Sequence, residues 1–184
     1  MHLARRAWCR TYQTVFRIAL PILPYTEPHI LEHAEDVPAV LQKRSIQKVL
    51  IVTDPGIARL GLTASLECAL TAQGIGVTVY AETRANPTVS NVEEAAALYR
   101  EGACQAIIGF GGGSAMDCAK GVGARIAQPN KPINKMRGLL RVHRLLPLLI
   151  AVPTTAGTGS EVTLAAVITD DETHYKYLSL IHIS

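Results

Sequence analysis

QAIIGFGGGSAMDCAK, residues 105–120, decides the fold. Its first six residues form an apolar, β-branched run of strand length, and from about Ser114 the chain turns alanine-rich, as a helix requires. Gly111, Gly112 and Gly113 alone join the two, leaving no room for a long loop. A strand that passes directly into a helix is half of a strand–helix–strand unit, the unit from which parallel sheets are built.

The same alternation extends in both directions. Upstream, residues 48–53 (KVLIVT) are a short buried-type strand that ends in the turn signal Asp54-Pro55-Gly56. Residues 57–73 carry helical spacing, with Leu60, Leu66 and Leu70 as core positions and Gly74 as the stop. Residues 76–80 (GVTVY) read as a second strand. A helix opens at Ser90, with Glu93 at capping-box distance, and ends at Gly102. Downstream, the Pro- and Lys/Arg-rich residues 128–146 form an excursion before another strand at 148–152 (LLIAV). A Thr/Gly-rich loop follows, then a strand at 163–169 (TLAAVIT) and the turn Asp170-Asp171-Glu172. The expected class is α/β, a Rossmann-like parallel sheet with helices on both faces. Ligands of such sheets lie at the carboxyl ends of the strands, which predicts that Asp54, residues 111–114 and residues 153–160 are neighbours.

Bulk properties set limits. A chain of 184 residues suffices for one α/β domain with a real core, and 48% apolar with 18% charged residues is a folded composition. The net charge of +3 is concentrated at the start, where Arg5, Arg6, Arg10 and Arg17 all precede the first acid, Glu27. That distribution gives no nucleic-acid surface. Cys9, Cys68, Cys104 and Cys118 form no C-x-x-C pair, which reads as a reduced, cytoplasmic protein. No apolar run reaches the roughly 20 residues of a membrane span. The acid-free start has the charge of a targeting peptide, but Arg17 interrupts its apolar stretch and no small-residue cleavage site follows. The expected organisation is an N-terminal arm at 1–24, an α/β domain at 25–177 and an aberrant tail at 178–184.

Three loops carry the chemistry. The Gly112-Gly113-Ser114 turn leads into a helix, where free N–H groups and the helix dipole favour an anion and glycine lets the backbone approach it. A bare GGGS equally fits a tight turn with a serine cap and no ligand. Residues 153–163 (PTTAGTGSEVT) hold five hydroxyl side chains and two glycines, a density of short donors suited to a phosphate, a ribose or an amide. Asp54 stands at the end of the first strand, where nucleotide folds place an acid against ribose hydroxyls; there it would repel a 2′-phosphate and favour NAD over NADP. Asp-Pro-Gly is also plain turn chemistry.

Taken together, VLIVTDPGI, NPTVSNVEEA, IIGFGGGSAMDCAK and above all AVPTTAGTGSEVT followed by AVITD resemble the N-terminal domain of the iron-containing (group III) alcohol dehydrogenases. Dehydroquinate synthases and glycerol dehydrogenases share this superfamily. The resemblance spans residues from about 12 to 176 and implies an NAD site. It assigns Gly112, Gly113 and Ser114 to the pyrophosphate, and Asp117 to the dinucleotide site. Thr154 and Thr155 would line the adenine–ribose side, with Thr158 in the same loop and Thr163 as a further contact. Lys176 would reach the ribose, Asn86 would line the cleft, and Asp54 would select NAD.

The resemblance further implies a divalent metal, iron or zinc, held by one Asp and three His of a helical C-terminal domain that is absent from this sequence; the metal belongs to the full-length protein only. No catalytic or metal-binding residue is therefore expected here. Of the six histidines (His2, His29, His33, His143, His174, His182), His29 and His33 alone have helical i, i+4 spacing, which reads better as an exposed helix face than as a ligand pair. The implied activity is hydride transfer between a small alcohol or diol and its aldehyde or ketone, in a protein that is a homo-oligomer at full length. The alternatives are a non-catalytic dinucleotide-binding fragment or a glycerol dehydrogenase-like member.

Overall fold

β1 (Lys48–Val52), β2 (Gly76–Tyr80), β3 (Ala106–Gly111) and β4 (Leu148–Pro153) form one sheet in the order β2-β1-β3-β4. All its pairs are parallel, with Ile51 opposite Val79 on one side and Ile108 on the other. The computed structural model describes residue 10 and residues 28–136, 138, 142, 144–163, 165–173 and 175–180. The arm expected at 1–24 lies outside these, except for Arg10.

Alternation along the strands sends successive side chains to opposite faces, and each face has its own helices. Val49, Ile51, Ile108 and Phe110 pack against α1 (Val37–Lys43) and α3 (Ala64–Ala72) through Val37, Leu41, Leu66 and Leu70. Leu50, Val52 and Ile107 pack against α4 (Val89–Glu101) and α5 (Gly113–Ala127) through Val92, Ala95, Ala96, Ala119 and Val122. The expected class, a Rossmann-like α/β sheet covered on both faces, is the one observed.

β3 is buried along its whole length, and Gly109 explains how α5 lies so close to it. A Cβ at Gly109 would stand 3.1 Å from Ala119 Cβ and 3.2 Å from Met116 Sδ. The order of the strands matters as much. From β1 the chain moves outward to β2, then returns past β1 to β3, so the connections diverge between β1 and β3. That switch point opens a crevice at the carboxyl ends of the two central strands. Asp54 and Gly111–Gly113 are the residues that follow them.

Several local expectations need correction. The helix read at 57–73 is two helices, α2 (Pro55–Arg59) and α3, because Gly61 takes φ +64 between them. Leu60, expected in the core, is 73% exposed at that break, whereas Leu66 and Leu70 are buried as expected. α4 starts earlier than Ser90: Thr88 is its cap, accepting from Asn91 N at 3.3 Å, and the Asn91 side chain closes the box. Gly102 ends that helix as anticipated. α5 is capped by Gly112, which places Ser114 inside the helix rather than at its cap. The excursion at 128–146 contributes buried Ile133, Met136, Val142 and Leu146 to the core beneath α5.

β5 (Ala165–Thr169) and β6 (Lys176–Leu180) form an antiparallel hairpin separate from the main sheet, turning at Asp170–Asp171–Glu172 as expected. Of the tail set apart at 178–184, residues 178–180 complete β6 and residues 181–184 lie outside the described ones. Side chains and one short backbone contact hold the hairpin down. Asp117 Oδ2 accepts from Val167 N at 3.2 Å, Asp171 Oδ2 accepts from Ser90 N at 2.8 Å, and Thr169 N donates to Pro87 O at 2.8 Å.

Replacing Gly109 with Val overpacks the β3–α5 contact and is expected to lower stability by about 1–3 kcal/mol, read as a shift in the urea midpoint. Burial raises the Asp171 carboxyl, but hydrogen bonds from Ser90 N–H and from the Thr88 and Ser90 hydroxyls outweigh it, and the net shift is downward from 3.8. A lowered carboxyl contributes stability that is present above its unfolded value and fades as pH falls through the folded one. Asp171→Asn should therefore remove part of the acid-side stability loss below the usual carboxylate range; an unchanged acid profile contradicts this.

Candidate functional site

Gly111 carries φ +144, a backbone state open only to glycine, and a Cβ there would meet Ala115 Cβ at 3.0 Å and Asp54 Oδ2 at 3.3 Å. This tight exit delivers the chain into α5 with Gly112 as a cap that offers no side-chain acceptor. The first N–H groups of a helix lack intrahelical partners, so the start of this fifteen-residue helix presents amides and a positive dipole end to the crevice. The donor set and the bare glycine backbone suit an anion.

The Thr/Gly loop closes over that turn. Thr154 N donates to Gly111 O at 2.9 Å, which extends the β3–β4 ladder by one bond. A Cβ on Gly112 would meet Thr155 Oγ1 at 3.3 Å; one on Gly113 would meet Ser160 Oγ at 3.1 Å and Thr158 Cβ at 3.4 Å. The two loops that the sequence marked out are thus in contact across one crevice. Thr154, Thr155 and Thr158 are exposed, with hydroxyls in reach of a bound molecule.

Two more loops complete the rim. Asn86, at φ +58, donates its N–H to Ser114 Oγ at 3.2 Å, and its Oδ1 accepts from Lys176 Nζ at 2.7 Å. Asn is among the few side chains at ease in that left-handed state. The β2–α4 loop, the start of α5 and the β5–β6 hairpin therefore meet around one exposed lysine. On the opposite side, Asp54 Oδ1 accepts from Gly56 N at 2.8 Å and Ile57 N at 3.0 Å, capping α2. The turn chemistry of Asp-Pro-Gly is present, with Asp54 as a helix cap besides, and its Oδ2 points toward the glycine exit.

Half-buried Asp117 and exposed Thr163 both stand beside Lys120. Asp117 holds Val167 N and lies 3.9 Å from Lys120 Nζ; burial raises its carboxyl, opposed by the Val167 amide and the Lys120 charge. Thr163 Oγ1 accepts from Lys120 at 3.0 Å. The sequence reading gives Lys120 no role, although it is 1% exposed and touches three groups of the Thr/Gly loop and β5. A signal was available: a lone cation three residues after Asp117, in a stretch otherwise made of Ala, Met, Cys, Gly and Val. Ser160, one of the five loop hydroxyls but without a role of its own in the sequence reading, faces Gly113 with its hydroxyl.

Among the described residues no group of three or more His, Cys, Asp or Glu side chains is arranged to hold a metal ion. No helix runs through His29 and His33, so the shared helix face does not form; His33 instead caps the short 3-10 turn Ala34–Asp36. His2, His143, His174 and His182 lie outside the described residues. No described helix is long and apolar enough to cross a membrane.

Residues 30–183 match the iron-containing alcohol dehydrogenases, and the chain belongs to that family. It is 38% identical over 134 residues to choline dehydrogenase of Bacillus subtilis, an alignment covering 72% of this chain and 33% of that protein. The crystal structure of a 1,3-propanediol oxidoreductase superposes with a TM-score of 0.79 at 32% identity, over 87% of this chain and 44% of the other. Sulfoacetaldehyde reductase from Bifidobacterium kashiwanohense, solved in complex with NAD+, gives 0.72 at 28% identity over 86% and 42%. The chain spans about a third of the length of the curated relatives it matches.

Asp54→Ala removes the α2 cap and is expected to cost about 1 kcal/mol of stability, measured by denaturant unfolding. Gly113→Val is a compound change, because its side chain strikes Ser160 and Thr158 before any ligand arrives.

Proposed function

We propose that this chain binds NAD for an iron-type alcohol dehydrogenase that transfers hydride between a small alcohol or diol and its aldehyde or ketone. The observation that carries the reading is the meeting of the Gly112–Gly113 turn with Thr155, Thr158 and Ser160 at the opening of α5. In this reading Gly112, Gly113 and Ser114 hold the pyrophosphate, the helix amides and dipole offsetting its charge. Thr154, Thr155 and Thr158 supply hydroxyls to the adenine–ribose portion, and Lys176, held by Asn86, supplies a cation at the rim. Asp54 selects NAD by repelling a 2′-phosphate. Asp117 and Thr163 serve the site by fixing the segment that carries the loop. When bound, the nicotinamide accepts or returns a hydride at its ring.

The substrate class rests on family membership and on the names of the relatives, which are choline, propanediol and sulfoacetaldehyde enzymes. A divalent metal, iron or zinc, belongs to the full-length enzyme in this reading; the described residues do not offer it a ligand set, so no step is derived through it. A cytoplasmic homo-oligomer acting on small molecules, with neither nucleic acid nor membrane as partner, is the setting we assign. What these residues provide by themselves is dinucleotide binding.

NADH titrated against the chain should enhance nicotinamide fluorescence, without turnover of butanol or propanediol on adding Fe²⁺ or Zn²⁺. Absence of any binding refutes the coenzyme reading; metal-dependent turnover refutes the division of labour. Ser114→Asp places a negative charge in the first turn of α5, which by the helix dipole leaves stability equal or up to about 1 kcal/mol higher. The same charge should weaken NADH binding about tenfold or more. Asp54→Ala should narrow the preference for NADH over NADPH; an unaltered ratio removes Asp54 from the site.

A further inference from the structure

The side chain of Lys120 enters the protein rather than the solvent. Its ammonium donates to Ser160 O, to Thr163 Oγ1 at 3.0 Å and to Ala165 O at 2.9 Å, with Asp117 Oδ1 at 3.9 Å. Glu161 is also close enough to act on it through its charge, and Glu161 Oε2 is buried with no hydrogen-bond partner. The acceptors all come from the second half of the Thr/Gly loop and the strand it enters. In the first half, Gly157 (φ +95) and Gly159 (φ +62) take left-handed backbone, and residues 154–158 are exposed. The loop thus has two fixed ends: Thr154, bonded to Gly111, and the Ser160–Ala165 segment gathered on one lysine.

A buried cation is a poor source of stability, because desolvation offsets most of its attraction to partners. What it supplies is geometry. We propose that Lys120 is a positioning residue for the coenzyme: its ammonium draws in Ser160, Thr163 and Ala165 so that Thr158 and Ser160 face Gly113 where the diphosphate is received. The inference rests on the coenzyme reading above, and Lys120 itself touches no ligand in it.

The pH behaviour separates positioning from stabilisation. Burial pulls the Lys120 ammonium down from 10.5 to about 8, opposed by Asp117 on its own helix and Glu161 on the loop; β5 contributes the neutral Ala165 carbonyl. With the folded value below the unfolded one, the cost of burying the cation is complete below about 8 and is relieved between about 8 and 10.5. Deprotonation therefore does not weaken the fold through this group, yet it removes the charge that faces Asp117 and Glu161. Coenzyme affinity should fall as the folding penalty of Lys120 is being relieved.

The experiment is an NADH fluorescence titration of the chain from about pH 7 to about pH 9, alongside Lys120→Arg and Lys120→Met. The unaltered chain is expected to lose about tenfold in affinity over that range, and Lys120→Arg, still charged, should show a flatter profile than its parent. Lys120→Met should bind about tenfold more weakly at the lower pH, with faster amide exchange at residues 158–163 and an unchanged far-UV spectrum. A pH-independent affinity in the unaltered chain overturns the proposal even if neither variant folds. So does a Lys120→Met protein with normal affinity and normal exchange in the loop. An unaltered chain that binds no NADH at any pH overturns the coenzyme reading itself, whereas normal exchange at 158–163 in Lys120→Met overturns only the role of the lysine.

Discussion

The distance between β3 and α5 governs the carboxyl edge of this sheet. Parallel sheets normally hold their helices off by the thickness of a branched side chain. Here Gly109 removes that side chain, and Met116 and Ala119 settle onto the strand backbone. Gly111 then turns through φ +144, and the helix begins two residues later. With a Cβ at either position, the opening of α5 would be displaced from the switch point between β1 and β3. Asp54, Thr155 and Ser160 would then no longer share a crevice with the glycine turn.

Around that fixed point the site is assembled from connections of very different length. Asp54 arrives directly from β1, and Thr154 directly from β4. Asn86 and Lys176 arrive from the β2–α4 loop and from the far strand of the hairpin, ninety residues apart in sequence, and meet through a single 2.7 Å contact. α5 organises both sides: its first turn presents amides and Ser114 to the crevice, and its second offers Asp117 and Lys120 to the hairpin and loop. One helix therefore sets both the floor of the site and the height of its far wall.

The strands were legible because each is a short apolar run bounded by turn residues, and burial on two faces leaves such runs little freedom. The contact between the two marked loops was legible through topology, since every loop after a parallel strand emerges at the same edge. What sequence reasoning missed was decided by tertiary contacts. Thr88 and Ser90 are both competent caps two residues apart, and the choice between them falls to the loop that Asn91 ties back through Arg84 N and Glu82 O. Leu60 fits helical spacing, but Gly61 breaks the helix and leaves it in solvent. A lysine in an alanine-rich helix ordinarily marks the wet face; only the hairpin packing on α5 turns Lys120 into an interior group.

The β5–β6 hairpin has a bearing on how the chain reaches this state. Its rungs join residues close in sequence, so it can zip up within microseconds of collapse. The four-stranded sheet pairs Val49 with Ala106 and Ala106 with Leu148, and long-range registry of that kind is slow to find. The hairpin's landing points on α4 and α5 exist only once those helices are seated. An isolated two-stranded hairpin is marginal in water, so this one keeps its place only while α4 and α5 are seated, and the outer wall of the crevice is lost with them.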